Sequence, residues 1–289
     1  MLNFNFYYTN SNNNSFNFAN AKDFILSDID GLTAADVELA TTKQANADGD
    51  VIQSSRANAR PIVVYLTPKR DVDIESFKRS VLNIVKPKQT GVLHYQHGGR
   101  NLTIPATVNK IEMPRFTDNI VMQITFYCAY PFWRDAYYII NTLKNVINLH
   151  HFEMTITAEN PLIMGEIKNI ISQTIYNEGD ASVGLVMELY ANGEIVKPKI
   201  TRESDGAFME FDLTMNTGDV LEINTTRGQK SAHYLTPTGH SNPNYNAIKK
   251  LTAGSTWLQL ETGENAFYAT SENESNEMYL TLKYKRAFV

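Results

Sequence analysis

Two short acidic segments contain the residue types that bind calcium ions. Asp28-Ile29-Asp30-Gly31 and Asp48-Gly49-Asp50 each place two carboxylates beside a glycine. Calcium takes six or more oxygen ligands, and an EF-hand loop supplies them from further spaced acids and a closing glutamate. Neither segment has those residues, and Asp-Gly pairs are common in turns. We therefore interpret both segments as turns, and the sequence predicts no metal and no cofactor.

The residues that could support catalysis are scattered. His150 and His151 are adjacent, so on a strand they would point to opposite faces and could not bind one ion together. Cys128 is the one cysteine, and its apolar surroundings favour a buried, unreactive thiol. The sequence has neither the G-x-S-x-G motif of many hydrolases nor a phosphate-binding glycine loop. These features predict that the protein is not an enzyme.

One polar string has the residue types of a carbohydrate site. His240-Ser241-Asn242-Pro243-Asn244, followed downstream by Trp257, is similar to the H-x-N-P-R motif of galectins. That resemblance implies that His240 and Asn242 bind the sugar while Trp257 stacks on its ring. Asn244 stands where the motif has arginine, and the glutamate expected after the tryptophan has no clear counterpart. We favour a polar loop ahead of a core tryptophan, with a sugar-binding adhesin as the alternative.

Short β-type runs separated by turn residues must position any such site. Apolar residues recur at helical spacing from Ile74 to Val85, between Asp73, a suitable N-cap, and Pro87, which ends the run. The run from Gly91 to Gln96 leads to two glycines and a further β-type run, which predicts a hairpin. From about Phe152 onward, alternating runs and turn signals are typical of an antiparallel sandwich.

Composition and charge limit the possible functions. The 289 residues are 43% hydrophobic and 20% charged, so the chain can bury a core. Its net charge is -5, from 26 basic and 31 acidic residues, which disfavours sequence recognition of nucleic acid because that needs a concentrated basic face. No apolar run reaches the roughly twenty residues needed to span a bilayer, and the N-terminus lacks signal-peptide features. We expect no membrane insertion, and synthesis and folding in a cytoplasm.

The first half of the chain resembles the N-terminal domain of bacteriophage distal tail proteins, the siphophage tail-component family. The matching elements occur in the family's order. They are Asp30-Gly31-Leu32, Gly49-Asp50, Arg60–Val64, the helix ending at Ile84–Pro87, Gly91–Leu93, Arg100 and the run Ile124–Trp133. Each motif alone is weak, and their collinear order carries the resemblance.

The second half resembles the galectin-like sandwich at the C-terminus of the same family. The matching segments are Thr174–Leu189, Lys199–Thr226, Ser255–Leu260 and Gly263–Asn265. We therefore expect a mainly β protein. Its N-terminal domain (1–136) would be sandwich-like, with one helix and a hairpin arm. A connecting segment (137–160) would lead to a galectin-like β-sandwich (161–289).

The resemblance also implies an assembly. It implies a homo-hexameric ring at the tail tip of a virion, joining the tail tube protein to tail-associated, receptor-binding or baseplate proteins. An inter-subunit arm would be formed by the hairpin residues Tyr95, Gln96, His97, Gly98, Gly99 and Arg100. A glycine-tipped hairpin suits that role, because its backbone groups can pair with another chain.

Overall fold

The computed structural model describes residues 4–19, 21–44, 48–114, 120–144, 146–148, 165–167, 171–237, 245–275 and 277–289. The chain divides into two compact units, one formed by residues 1–136 with 287–289 and the other by residues 137–286. The predicted fold class is confirmed, since the described elements are mainly strands and include one α-helix, in the first unit.

The first unit is built on one large antiparallel sheet. Its elements are β1 (Asn5–Asn10), β2 (Ser15–Asn17), β3 (Phe24–Asp30), β4 (Val37–Lys43), β5 (Asp50–Ala57), β6 (Arg60–Pro68), α1 (Ile74–Ile84), β7 (Thr90–His97), β8 (Arg100–Glu112), β9 (Met122–Cys128) and β10 (Trp133–Asp135). The main path of the sheet runs β2-β1-β7-β8-β9-β6-β3. Strand β10 pairs with β8 and with the last strand of the chain. The remaining two strands, β4 and β5, form a sheet of their own.

Alternation along the strands places one face of the large sheet against the core. On β9, Met122, Ile124, Phe126 and Cys128 are buried while the residues between them are more exposed. This is the period of two that a strand imposes on its side chains. The same pattern holds along β1, β6 and β8.

The predicted helix is confirmed, with its predicted N-cap. The carboxylate of Asp73 accepts a hydrogen bond from the backbone N–H of Ser76 at 2.9 Å, which satisfies one of the free donors of the first turn. Phe77 and Val81 are buried and pack in the core, while Ile74 lies on the exposed side. The apolar stripe therefore anchors α1 to the core of the first unit.

The second unit contains two larger antiparallel sheets. Its elements are β11 (Ile139–Lys144), β12 (Val146–Asn148), β13 (Gly165–Ile167), β14 (Ile171–Asn177), β15 (Val183–Gly184), β16 (Val186–Ala191), β17 (Ile195–Val196), β18 (Lys199–Arg202), β19 (Phe208–Glu210), β20 (Thr214–Met215), β21 (Val220–Asn224), β22 (Ser231–Leu235), β23 (Tyr245–Asn246), a 3-10 helix (Ala247–Lys250), β24 (Gln259–Leu260), β25 (Gly263–Thr270) and β26 (Met278–Tyr284). One sheet runs β11-β26-β16-β21-β22-β23 and the other β14-β25-β18-β19. Both contribute buried apolar residues, as a sandwich requires.

Two details differ from the predicted domain limits. Strand β11 lies in the predicted connecting segment (137–160), but it pairs along its length with β26 and so belongs to a sheet of the second unit. The last strand, β27 (Ala287–Phe288), pairs with β10 and belongs to the first unit. Residues 149–160 of the predicted connection lie outside the described residues. Backbone pairing between distant segments decides both points, and local sequence patterns do not contain that information.

Candidate assembly surface

The glycine-tipped hairpin predicted to be an arm is present, formed by β7, the turn Gly98-Gly99 and β8. It does not stand away from the unit. On its other edge β7 pairs with β1, with Tyr95 opposite Phe6 and Gln96 opposite Asn5. The Asn5 side chain also donates a hydrogen bond to the Gln96 side chain at 3.1 Å. Backbone pairing on both sides therefore holds β7 inside the large sheet.

Aromatic contacts hold the end of this hairpin as well. The Tyr95 ring lies 5.9 Å from the ring of Phe4 and 5.8 Å from that of Trp133. The His97 ring lies 6.1 Å from the Phe4 ring. The Arg100 guanidinium lies 5.6 Å from the centre of the Phe288 ring, in the last strand of the same chain. The hairpin at 95–100 is thus part of the packed unit, and its role as an inter-subunit arm stays a prediction.

A different hairpin has the geometry of an arm. Strands β4 and β5 pair with each other from Val37–Ala57 to Lys43–Asp50 and with no other described strand. All their residues are exposed except Ala57, which is half-buried. At the base, the Asn58 N–H donates to the Asp36 carbonyl at 2.8 Å. We call residues 37–57 the detached hairpin.

The two faces of the detached hairpin differ in chemistry. Side chains alternate along a strand, so Val37 and Leu39 share a face with Ile52, the partner of Thr41. These three residues are 58%, 50% and 59% exposed, although they are large and apolar. The opposite face carries Glu38 and Arg56, whose side chains form an ion pair at 2.6 Å, together with Val51, the partner of Thr42, which is 46% exposed. Three of the four large apolar side chains exposed on the described part of the hairpin thus share one face, and no described residue covers that face.

The sequence contained one signal of this hairpin. Asp48-Gly49-Asp50, considered above as part of a calcium loop, is the turn region that precedes β5, and Gly49 has a φ of +90°. That positive φ favours glycine over any residue with a Cβ. Among the described residues, no group of three acidic, histidine or cysteine side chains is placed to hold a metal ion. The turn interpretation of the acidic segment agrees with this geometry, but the flanking strands were missed.

The proposed sugar-binding residues are only partly described. His240 and Asn242 lie outside the described residues. Trp257 is half-buried, and the Lys230 ammonium lies 5.4 Å from the centre of its ring. A cation at this distance interacts with the π-face on which a sugar would stack. Because His240 and Asn242 lie outside the described residues, the sugar site stays a prediction.

Two remaining expectations concern the reactivity of Cys128 and insertion into a membrane. Cys128 is buried, and burial raises the pKa of its thiol to about 12. At neutral pH it is therefore a thiol and a poor nucleophile, because the thiolate is the reactive form. Within the described ranges, no helix is long and apolar enough to cross a membrane.

One family model matches the C-terminal part of the chain. Residues 178–288 match the model of the siphovirus-type tail component, C-terminal domain (SPP1_Dit). The resemblance to phage distal tail proteins is confirmed. The family is a component of phage tails, which agrees with a structural rather than a catalytic role. No curated protein matches the chain in sequence.

Solved structures show the same fold over nearly the whole chain. The crystal structure of phage SPP1 Dit, described as a paradigm of the hub adsorption apparatus in phages that infect Gram-positive bacteria, has a TM-score of 0.68 and 14% identity, covering 98% of both chains. A chain of the phage P2 baseplate, in its activated conformation with Ca, has a TM-score of 0.52 and 14% identity, covering 99% of both. The strontium form gives 0.52 and 13%, with the same coverage.

Proposed function

We propose that the protein is a structural subunit of a closed ring, six copies in the family pattern, at the tip of a phage tail. The observation that carries this proposal is the detached hairpin, whose apolar face has no partner among the described residues. Large exposed apolar groups on a protruding element are typical of interaction sites. In a closed ring each subunit contacts its neighbour through two different surfaces, so one surface can be a protruding hairpin.

The small size of the apolar face limits its contribution to the free energy of association. Full burial of a Val, Leu or Ile side chain stabilises by about 1.5–3 kcal/mol. Val37, Leu39 and Ile52 are already about half-buried, so covering all three would contribute about 3 kcal/mol in total. Association of two proteins costs an estimated 4–15 kcal/mol in lost freedom. The hairpin alone therefore cannot hold the ring together, and the bodies of neighbouring first units must also contact one another.

The second unit has a different role in this proposal. Its galectin-like sandwich would hold receptor-binding or baseplate proteins, while the first unit would join the tail tube protein. The virion tail tip would be its final location, after synthesis in the host cytoplasm. The family match in the second unit and the hub role described for phage SPP1 Dit support this arrangement.

A pair of charge substitutions on one strand tests the role of the hairpin. Leu39→Glu places a carboxylate on the apolar face, and Thr42→Glu places the same group on the opposite face of β4. We expect Leu39→Glu to weaken self-association at least tenfold, since a buried carboxylate is costly, and Thr42→Glu to change it little. Sedimentation velocity over a concentration series, with negative-stain imaging of the assembled species, measures both. Equal association of Leu39→Glu and the wild type would refute the proposed contact.

A further inference from the structure

Arg60 is a buried cation at the base of the detached hairpin. It begins β6, three residues after the end of β5, and it pairs in register with Cys128. That pair is the last of the β6–β9 ladder, so Arg60 lies at the end of the sheet and not in its middle. The residue is 1% exposed.

The guanidinium of Arg60 lacks the partners that such a group normally has. Its three nitrogens, Nε, Nη1 and Nη2, are buried, and none donates a hydrogen bond to any residue that the structure describes. The neighbouring Cys128 does not compensate the charge, because burial raises the pKa of its thiol to about 12 and keeps it neutral. Burial also lowers the pKa of Arg60, which shows that the charged form is disfavoured where it lies.

A buried, unpaired guanidinium needs an explanation. Buried charges in proteins are almost always paired and hydrogen-bonded, since desolvation without a partner is very costly. Arginine remains protonated even when buried, so it cannot escape this cost by losing its proton. Its five N–H donors form a planar fork that matches two oxygens of one carboxylate or phosphate. A carboxylate or phosphate would therefore satisfy the donors that the described residues leave unpaired.

We propose that Arg60 is a binding site for an oxyanion, a carboxylate or phosphate group, that comes from outside the described part of the chain. Two sources offer this chemistry: a small anion from solution, or an acidic side chain of a second copy. Arg60 lies at the base of the detached hairpin and at the end of the β6–β9 ladder, so binding of either one requires a local opening that exposes the guanidinium. The second source rests on the proposed ring, and the first does not.

Thermal unfolding of the dilute, monomeric full-length chain tests the first source. The wild type and Arg60→Met are melted in chloride, acetate and inorganic phosphate at one ionic strength. If a small anion binds, acetate or phosphate raises the wild-type Tm by at least about 3 °C and leaves Arg60→Met unchanged. Arg60→Lys keeps the charge but loses the fork, so it should show a smaller anion-dependent shift. Arg56→Met, at the exposed ion pair on β5, is the matched control and should respond as the wild type does.

Self-association tests the second source. If the oxyanion is a side chain of a second copy, the anions leave the monomer's Tm unchanged, and Arg60→Met weakens self-association at least tenfold. In both cases Arg60→Met should melt in chloride at or above the wild-type temperature, because it removes an uncompensated buried charge. A much lower Tm for both Arg60→Met and Arg60→Lys would mean that the chain itself supplies the partner, and would overturn the proposal. The proposal would also be overturned if the anions left the wild-type Tm unchanged and Arg60→Met left self-association unchanged. If a small anion raises the wild-type Tm but no ring forms, the Arg60 site is supported and the proposed function is refuted.

Discussion

The first unit contains two long hairpins with opposite surroundings. The hairpin β7–β8 has a strand on each side, and its alternate residues, such as Leu93 and Ile104, are fully buried. No other strand that the structure describes pairs with the hairpin β4–β5, and no residue of these two strands is buried. Both consist of two antiparallel strands, and both have turns that contain glycines with positive φ. Their neighbours, in contrast, differ.

In the proposed ring, that difference would separate a folding element from an assembly element. An isolated two-stranded hairpin is marginally stable in water and needs a third strand or another surface to be stable. The β7–β8 hairpin has that support within its own chain. The detached hairpin does not, so a partner surface would stabilise it. The two hairpins should therefore respond oppositely to mutation, one through folding and the other through association.

Removal of the detached hairpin should have the largest effect of all on assembly. Since the Asn58 N–H bonds the Asp36 carbonyl, the two ends are adjacent, and an Asn-Gly turn can replace residues 37–57. We expect self-association to weaken at least about 100-fold, because the roughly 3 kcal/mol that burial of the apolar face would contribute is lost in full. The monomer's Tm should change by less than about 3 °C, as measured by calorimetry. A large drop in Tm would show that the detached hairpin stabilises its own unit, and the two hairpins would then not differ in their role in folding.

Substitution of one glycine in each hairpin should reveal the contrast in stability. A Cβ on Gly91, in β7, would lie 2.3 Å from the carbonyl oxygen of Thr9 and 2.6 Å from the Tyr8 ring, so β1 must move. We expect Gly91→Ala to lower the free energy of unfolding by about 1–3 kcal/mol, as overpacking does. A Cβ on Gly49 would meet no atom within 4 Å.

The Gly49→Ala control separates local strain from global stability. Its positive φ disfavours alanine by about 1 kcal/mol, but this strain is confined to a hairpin that the rest of the unit does not need. We therefore expect a change in the free energy of global unfolding below about 0.5 kcal/mol. Urea denaturation of both variants measures the difference. Equal destabilisation would mean that both hairpins unfold together with the core.

The parts of the fold that depend on local periodicity could be predicted from the sequence. Helix α1 has its apolar residues at a spacing of three and four, with Asp73 as the N-cap, so its position followed from residues close together in the chain. The turn Gly98-Gly99 followed in the same way. In the second half, the alternating runs and turns predicted an antiparallel sandwich.

Which hairpin packs in the sheet and which stays detached could not be predicted, because it depends on which strands pair at long range. Tyr95–Arg100 has the local features of an exposed hairpin, yet β1, more than eighty residues earlier, covers its edge. Val37 and Leu39 are the kind of residues that normally indicate a buried strand, yet they are exposed here. Arg60 is part of one motif of the family resemblance, but a sequence does not show that a charged residue is buried without a partner.

The pH dependence of stability should give the smallest effect, and it should be confined to the packed hairpin. His94 in β7 is half-buried and stacks on Tyr7, with ring centres 4.3 Å apart. Burial lowers the pKa of His94 below its ordinary value of 6.5. The unfolded chain therefore binds a proton that the folded chain resists as the pH falls through 6.5.

Stability of the first unit should consequently decrease between pH 8 and pH 5, and His94→Gln should make this decrease smaller. The exposed His233→Gln in the second unit is the matched control, measured by urea denaturation at each pH. If the free energy of unfolding depended on pH equally in His94→Gln and the wild type, the folded protein would accept a proton on His94 without loss of stability. The detached hairpin contains no histidine, so a contact made by it should keep its strength over this range. A self-association that weakens in parallel with the His94-dependent stability would instead place the packed hairpin in the subunit interface, as the sequence alone predicted.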